Sequence, residues 1–220
     1  DALTRTLSRR LPSAVRLNSA CVRYENTHRG VRVHLESGEV IEGDLLVGAD
    51  GIHSAIRTQM LGPDRPDFTG HTAWRAVVPM ERLGNLAPPP TACVWVGKRR
   101  HAETYRLRGG SLATFVGIVE NDAWTSESWT EQGTKEEVLA DFEGWHPIVT
   151  NLIEQADTYY RWALFDRQPL ENWVDGRAVL LGDACHPTLP FLAQGAVMAI
   201  EDAYLLARRV CDDVYEIDEA

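Results

Sequence analysis

Residues 177 to 209 read RAVLLGDACHPTLPFLAQGAVMAIEDAYLLARR. The segment opens with Ala178, Val179, Leu180 and Leu181 and stops abruptly at Gly182-Asp183. A short apolar run ended by glycine and a carboxylate has the form of a buried strand with a charge at its C-terminal end. Pro187 and Pro190 keep the next residues out of regular helix. After Gln194-Gly195 an amphipathic pattern begins. Ala196, Ile200, Ala203, Ala207 and Val210 share one helical face, with Ala199 and Leu206 beside them. The order is strand, acidic turn, constrained loop, glycine, helix.

A carboxylate at a buried strand end requires a partner, and a ligand hydroxyl would serve. A helix starting at Gly195 presents unpaired N–H groups and the positive end of its dipole. Such an end suits an anion, or a carbonyl that gains negative charge. A glycine there lets the backbone approach a flat ligand closely. An ordinary strand-helix unit, with Asp183 capping a turn, fits the same residues.

A second stretch has the same form. Asp44 to Gly51, DLLVGADG, is an apolar strand ending in a carboxylate and glycine, and Ser54 can cap the helix that follows. Two such turns suggest two edges of one cleft at the carboxyl ends of a parallel sheet. Around them the chain reads in simple units. Leu3, Leu7 and Leu11 have helical spacing up to Pro12, and residues 17 to 42 read as a three-stranded antiparallel meander.

Between about Gly62 and Pro169 the composition changes. Phe68 to Pro79, Ala92 to Gly97, Glu103 to Leu107, Leu112 to Glu120 and Tyr159 to Phe165 are strand-like. Glu136 to Trp145 reads as a helix closed by Pro147, with Val138, Leu139 and Phe142 inward, and Asn151 to Ala156 as a shorter one. Trp124 and Trp129 lie in a polar stretch without a pattern. This is an antiparallel sheet with helices, inserted between two parts of an α/β domain.

The 220 residues carry a net charge of −10 and 44% hydrophobic residues. That balance argues against nucleic-acid partners and for a sizeable core. No apolar run is long enough to span a membrane. Cys21, Cys93, Cys185 and Cys211 form no CxxC and no zinc-ligand spacing with histidine, so no metal is expected and a reducing cytoplasmic setting is. Cys21 and Cys93 read as buried thiols, and Cys185 as a small apolar filler.

On these motifs the chain resembles the FAD-dependent aromatic hydroxylases, the group A flavoprotein monooxygenases that include salicylate hydroxylase-like enzymes. Residues 46 to 57, LVGADGIHSAIR, are similar to that family's Asp-Gly fingerprint. Residues 181 to 187, LGDACHP, extended by 192 to 196 and 200 to 203, are similar to its Gly-Asp fingerprint. Residues 70 to 79, GHTAWRAVVP, look like the opening strand of its substrate domain, and 162 to 169 like the segment leading back. The family's GxGxxG has no counterpart in these residues, so an internal fragment or truncated product is expected.

The resemblance implies a partial FAD-binding parallel-sheet domain over 1–62 and 170–220, and an antiparallel-sheet substrate domain over 63–169. It implies hydroxylation of a small, phenolic aromatic with NAD(P)H and O2 through a C4a-hydroperoxyflavin. Gly182 and Asp183 would hold a ribityl hydroxyl of FAD. The amides of Gly195, Ala196 and Val197 would meet the pyrimidine edge. Pro190 and Phe191 would line the flavin face. Asp50, with Arg57, would support the pyrophosphate and use of the nicotinamide cofactor. A helix cap at Asp50 and a structural ion pair at Arg57 fit equally. Arg75 would pair with a substrate carboxylate, or be a solvated strand arginine. His186 is expected to hydrogen-bond within its loop, His53 to sit in a turn, and Glu201-Asp202 to be a charged step on the helix. A truncated relative unable to hold FAD, and a flavin epoxidase or halogenase-like enzyme, are the competing functions. The oligomeric state is not readable.

Overall fold

The computed structural model describes residues 9, 15–64, 66–121, 131–192 and 194–211. Apart from residue 9, the expected helix over residues 2 to 11 lies outside them, as does the stretch with Trp124 and Trp129. The chain forms two compact units, residues 1–65 with 167–220, and residues 66–166.

The first unit begins with the meander. Strands β1 (Cys21–Thr27), β2 (Gly30–Leu35) and β3 (Val40–Gly43) pair antiparallel in that order. The first strand starts later than its apolar pattern suggests, because Leu17 is left exposed. Strand β4 (Leu46–Gly48) then enters a second three-stranded sheet of order β11-β12-β4, with β11 spanning Val174–Asp175 and β12 spanning Ala178–Leu180. β4 and β12 are parallel, with Val47 opposite Val179, while β11 returns antiparallel to β12. Every other paired strand among the described residues is antiparallel. The expected parallel sheet is therefore represented by one strand pair, and the fold as a whole is a mixed α/β arrangement.

Helix α1 (Ala55–Leu61) follows β4. Its Gln59 clasps the backbone of Tyr24, accepting from the N–H at 2.9 Å and donating to the carbonyl at 2.7 Å. The Tyr24 hydroxyl donates to Asp175 at 2.6 Å. Burial pushes that hydroxyl's pKa up, and the carboxylate beside it pushes it further. Tyr24, Val31, Ile56, Ala178, Leu180, Ala184 and Cys185 form the core here, so both apolar strands end against one buried cluster.

The second unit is a six-stranded antiparallel sheet of order β6-β7-β8-β5-β10-β9. The strands are β5 (Asp67–Pro79), β6 (Cys93–Gly97), β7 (Arg100–Leu107), β8 (Leu112–Glu120), β9 (Gln132–Gly133) and β10 (Tyr159–Asp166). Residues opposite one another across a ladder share a face. Trp74, Ala76 and Val78 of β5 thus lie with Phe115 and Ala113 of β8 against Val138, Phe142, Val149 and Leu152. The last four belong to α2 (Lys135–Asp141) and the residues after it, and to α3 (Pro147–Gln155).

Pro147 does not close the first of these helices. That helix stops earlier, and Pro147 opens α3 behind a His146 cap. Proline is well suited to a first helical position, whose N–H has no partner in any case. The capping box of α2, in which Thr134 and Glu137 bond reciprocally, fixes its start.

Candidate functional site

The two strand ends that the parallel pair brings together open into one cleft of about 510 Å³. One wall is the end of β4, with Ala49 and Gly51. The opposite wall is Leu181, Gly182 and Asp183, then Thr188 and Pro190 from the loop. Gly195, Ala196 and Ala199 of the final helix complete it. That helix, α4, runs from Gly195 to Cys211. Among the described residues its first backbone bond outside the helix body is from the Met198 N–H to the Gln194 carbonyl at 2.9 Å. The amides of Gly195, Ala196 and Val197 therefore belong to the first turn, which has no internal acceptors.

Asp183 differs from the expectation of a buried carboxylate. It sits in a short 3-10 turn, Gly182–Ala184, that carries it past the buried strand end and leaves it exposed in the cleft. It has no hydrogen-bond partner among the described residues, and exposure removes the cost of that. Its carboxylate faces the start of α4. A Cβ built on Gly195 would lie 3.9 Å from Asp183 Oδ1 and 2.8 Å from Thr188 Oγ1. Gly195 has no left-handed backbone requirement, so close approach is what the glycine provides there. Gly182 is the other case. Its φ of +60° is the left-handed region, and a Cβ would come within 3.0 Å of Ala199 Cβ.

The remaining candidates separate into those at the cleft and those with other tasks. Pro190 and Ala196 line it, whereas Val197 does not and is 52% exposed. Asp50 is flanked by two lining residues but turns its carboxylate onto α1. It accepts from the Ser54 hydroxyl and from the N–H groups of Ala55 at 2.8 Å and Ile56 at 3.3 Å. Ser54 is the cap, accepting from the Arg57 N–H at 2.9 Å.

Arg57 is 4% exposed and donates to Asp64 at 2.7 Å and to the carbonyls of Ala184 and Cys185. Asp50 thus bonds to the start of α1, and Arg57 forms an ion pair with Asp64. Arg167 pairs with the same Asp64 and donates to the Ile52 carbonyl at 2.8 Å. Burial works against the Asp64 charge, but the two guanidiniums outweigh it and hold its carboxyl below the usual range. In the second unit Arg75 is exposed and has no polar partner among the described residues. Its side of β5 is the one that Trp74 does not share.

The inner face of α4 lies only partly where the sequence predicts it, keeping Ala199, Leu206 and Val210. The half-buried residues are Gly195, Met198, Ala199, Asp202, Leu206 and Val210, while Ile200, Ala203 and Ala207 are exposed. Alanines on several sides of the helix hid the true stripe. Asp202 lies on that inner face and is no solvated step. Its Oδ2 accepts from the Gly182 N–H at 3.1 Å and meets His186 Nε2 at 2.5 Å. The His186 ring thus bonds across to the helix while its backbone N–H bonds within the loop to the Gly182 carbonyl at 2.9 Å, and the ring lies 5.2 Å from that of Trp173.

Cys185 is buried, as a filler should be, and its thiol donates to the Gly182 carbonyl at 3.4 Å. Burial, aided by the nearby Asp202 charge, pushes its pKa up to about 11. Donor atoms of Cys185, His186 and Asp202 lie within 4.8 Å of one another. That grouping is tertiary and invisible in sequence spacing, and each member already has a partner in this network. Cys21 and Cys93 are half-buried rather than fully buried. His53 lies in a turn.

A family model described as "FAD binding domain" matches residues 9–213. The chain belongs to this family of FAD-dependent aromatic monooxygenases. It is 41% identical over 196 residues to a 3-amino-4-hydroxybenzoate 2-monooxygenase of Streptomyces platensis, covering 89% of this chain and 49% of that protein. It is 39% identical over 201 residues to a 6-hydroxynicotinate 3-monooxygenase of Bordetella bronchiseptica, covering 90% and 52%. A solved salicylate hydroxylase substrate complex superposes with a TM-score of 0.84 at 28% identity, covering 99% of this chain and 58% of that one. The chain spans about half the length of the curated relatives it matches. Among the described residues no helix is long and apolar enough to cross a membrane.

Proposed function

We propose that the cleft holds the flavin and ribityl part of FAD, and that the protein works as an NAD(P)H-dependent hydroxylase of a small aromatic. The observation that carries this is the facing of Asp183 and the Gly195 helix start across one cleft. The groups present fit a flavin. An exposed carboxylate without a partner can accept from a ribityl hydroxyl. The first-turn amides and dipole of α4 favour the negative charge that a reduced flavin carries on its pyrimidine edge. Gly195 leaves the room that a ring needs, and a methyl there would meet Thr188. Ala196 and Pro190 supply apolar walls.

FAD held there would supply the redox chemistry, with NAD(P)H as the reductant and O2 as the source of the inserted oxygen, the second oxygen atom leaving as water. The residues of this chain orient the cofactor, exclude water and stabilise charge. Residues 63–169 act as the substrate domain in this reading, and 1–62 with 170–220 as the cofactor domain with its parallel strand pair. The matched relatives are named for aminohydroxybenzoate, hydroxynicotinate and salicylate, which points to a hydroxylated aromatic acid as substrate. Arg75, exposed and without a partner among the described residues, is the guanidinium proposed to meet its carboxylate in bidentate fashion. The four free cysteines suit a cytoplasmic setting.

The test is direct. Purified protein is scanned for a flavin band at near one per chain, and NAD(P)H oxidation is followed with and without hydroxybenzoates. Stimulated oxidation with a hydroxylated product supports the reading. Protein that takes up no flavin overturns it.

A further inference from the structure

We infer that Asp202 is a positioning residue, clamping the turn that carries Asp183 to helix α4 and so setting how that carboxylate meets the Gly195 amides. The inference rests on the proposal that the cleft holds flavin. Asp202 occupies a mid-helix position, where Asp is a poor helix former and serves no cap. Its role is therefore sought in tertiary contact, and one oxygen makes two. Oδ2 accepts from the Gly182 N–H at 3.1 Å and meets His186 Nε2 at 2.5 Å.

The turn is also bonded within itself. The Gly182 carbonyl accepts from the N–H groups of Cys185 and His186, both at 2.9 Å, and from the Cys185 thiol. Ala199, one helical turn before Asp202, packs against Gly182 so closely that no Cβ fits there comfortably. Gly195, Ala199 and Asp202 follow one another at helical spacing along a single stripe. The helix start and the clamp thus belong to one rigid element, and the turn is registered against both. Within that turn Asp183 alone keeps a carboxylate without a partner among the described residues.

Two measurements on the full chain test this. The first is amide exchange without added flavin. Asp202→Ala, and Asp202→Ser as a second variant whose side chain is too short to reach, should speed exchange at residues 182–186 while leaving the Tyr24–Val31 core protected. Asp202→Asn, whose amide oxygen placed at the Oδ2 position can accept from both the Gly182 N–H and the His186 ring N–H, should restore protection. Glu201→Gln, an exposed neighbour, should change nothing.

The second is a double-mutant cycle on FAD affinity, read by flavin fluorescence. Asp202→Ala should weaken binding about 10- to 100-fold in the parent, the scale of a lost charge-assisted hydrogen bond. In an Asp183→Ala background it should weaken binding by no more than about threefold, because coupled sites are not additive. Additive losses, or unchanged exchange in the turn, would overturn the clamp. Faster exchange in the turn combined with no flavin uptake by the parent would sink the flavin reading and leave the clamp standing.

Discussion

Gly195 shows how a single residue acts by what it lacks. Its backbone needs no left-handed conformation, and alanine is the better helix former by up to about 1 kcal/mol. Gly195→Ala should therefore leave the melting temperature of the flavin-free protein unchanged or slightly raised. The added methyl would push on the exposed Thr188 and narrow the cleft. Flavin affinity should fall about tenfold, and titration by fluorescence reads it. Equal affinity in the variant would show that close approach at Gly195 has no role.

Cys185 gives a chemical prediction at the same scale. A thiol held near pKa 11 is almost wholly protonated at neutral pH and inert to alkylation. Mass spectrometry after brief iodoacetamide treatment should find Cys211, which is exposed, modified early, and Cys185 only after denaturation. The linked sign is that stability from the neutral thiol is complete below the unfolded value. It is lost as pH rises through the folded one. The place of Asp183 and Gly195 on one cleft was legible in sequence because a strand end, two prolines and a glycine constrain one another. Asp202 was not, because its partners lie 16 and 20 positions away across a turn.

At the scale of elements, the tie between α1 and the Gly182 turn runs through Arg57. Its guanidinium reaches Asp64 and two carbonyls just after the strand end. Arg57→Met should cost on the order of 2–4 kcal/mol, at the low end because Asp64 is partly solvated. Chemical denaturation measures it, and a loss below about 0.5 kcal/mol would contradict the assignment. Asp64 adds a pH dependence. Its folded pKa is depressed, so its contribution is present above the unfolded value near 3.8 and lost as pH falls through the folded one. Asp64→Asn should flatten the loss of stability below about pH 4. Two elements resisted sequence reading for physical reasons. The two-residue strands β9 and β11 are too short to carry alternation. Pro147 reads as a stop in the sequence because proline both ends and begins helices.

For the whole molecule, a change of composition between about Gly62 and Pro169 was visible in the sequence, and residues 66–166 carry the long antiparallel strands. The extent of parallel pairing was not, because apolar runs do not state their neighbours. β4 and β12 alone carry it among the described residues. That single pair is nonetheless what brings two acidic turns, far apart in sequence, to the edges of one cleft. The groups proposed to act there address the riboflavin half of the cofactor. The central claim is accordingly tested by titrating the protein and its Asp183→Ala variant with FAD and with FMN. The Asp183→Ala variant should bind each ligand about 10- to 100-fold more weakly than the parent at an unchanged melting temperature. Flavin binding that is indifferent to Asp183 would contradict it.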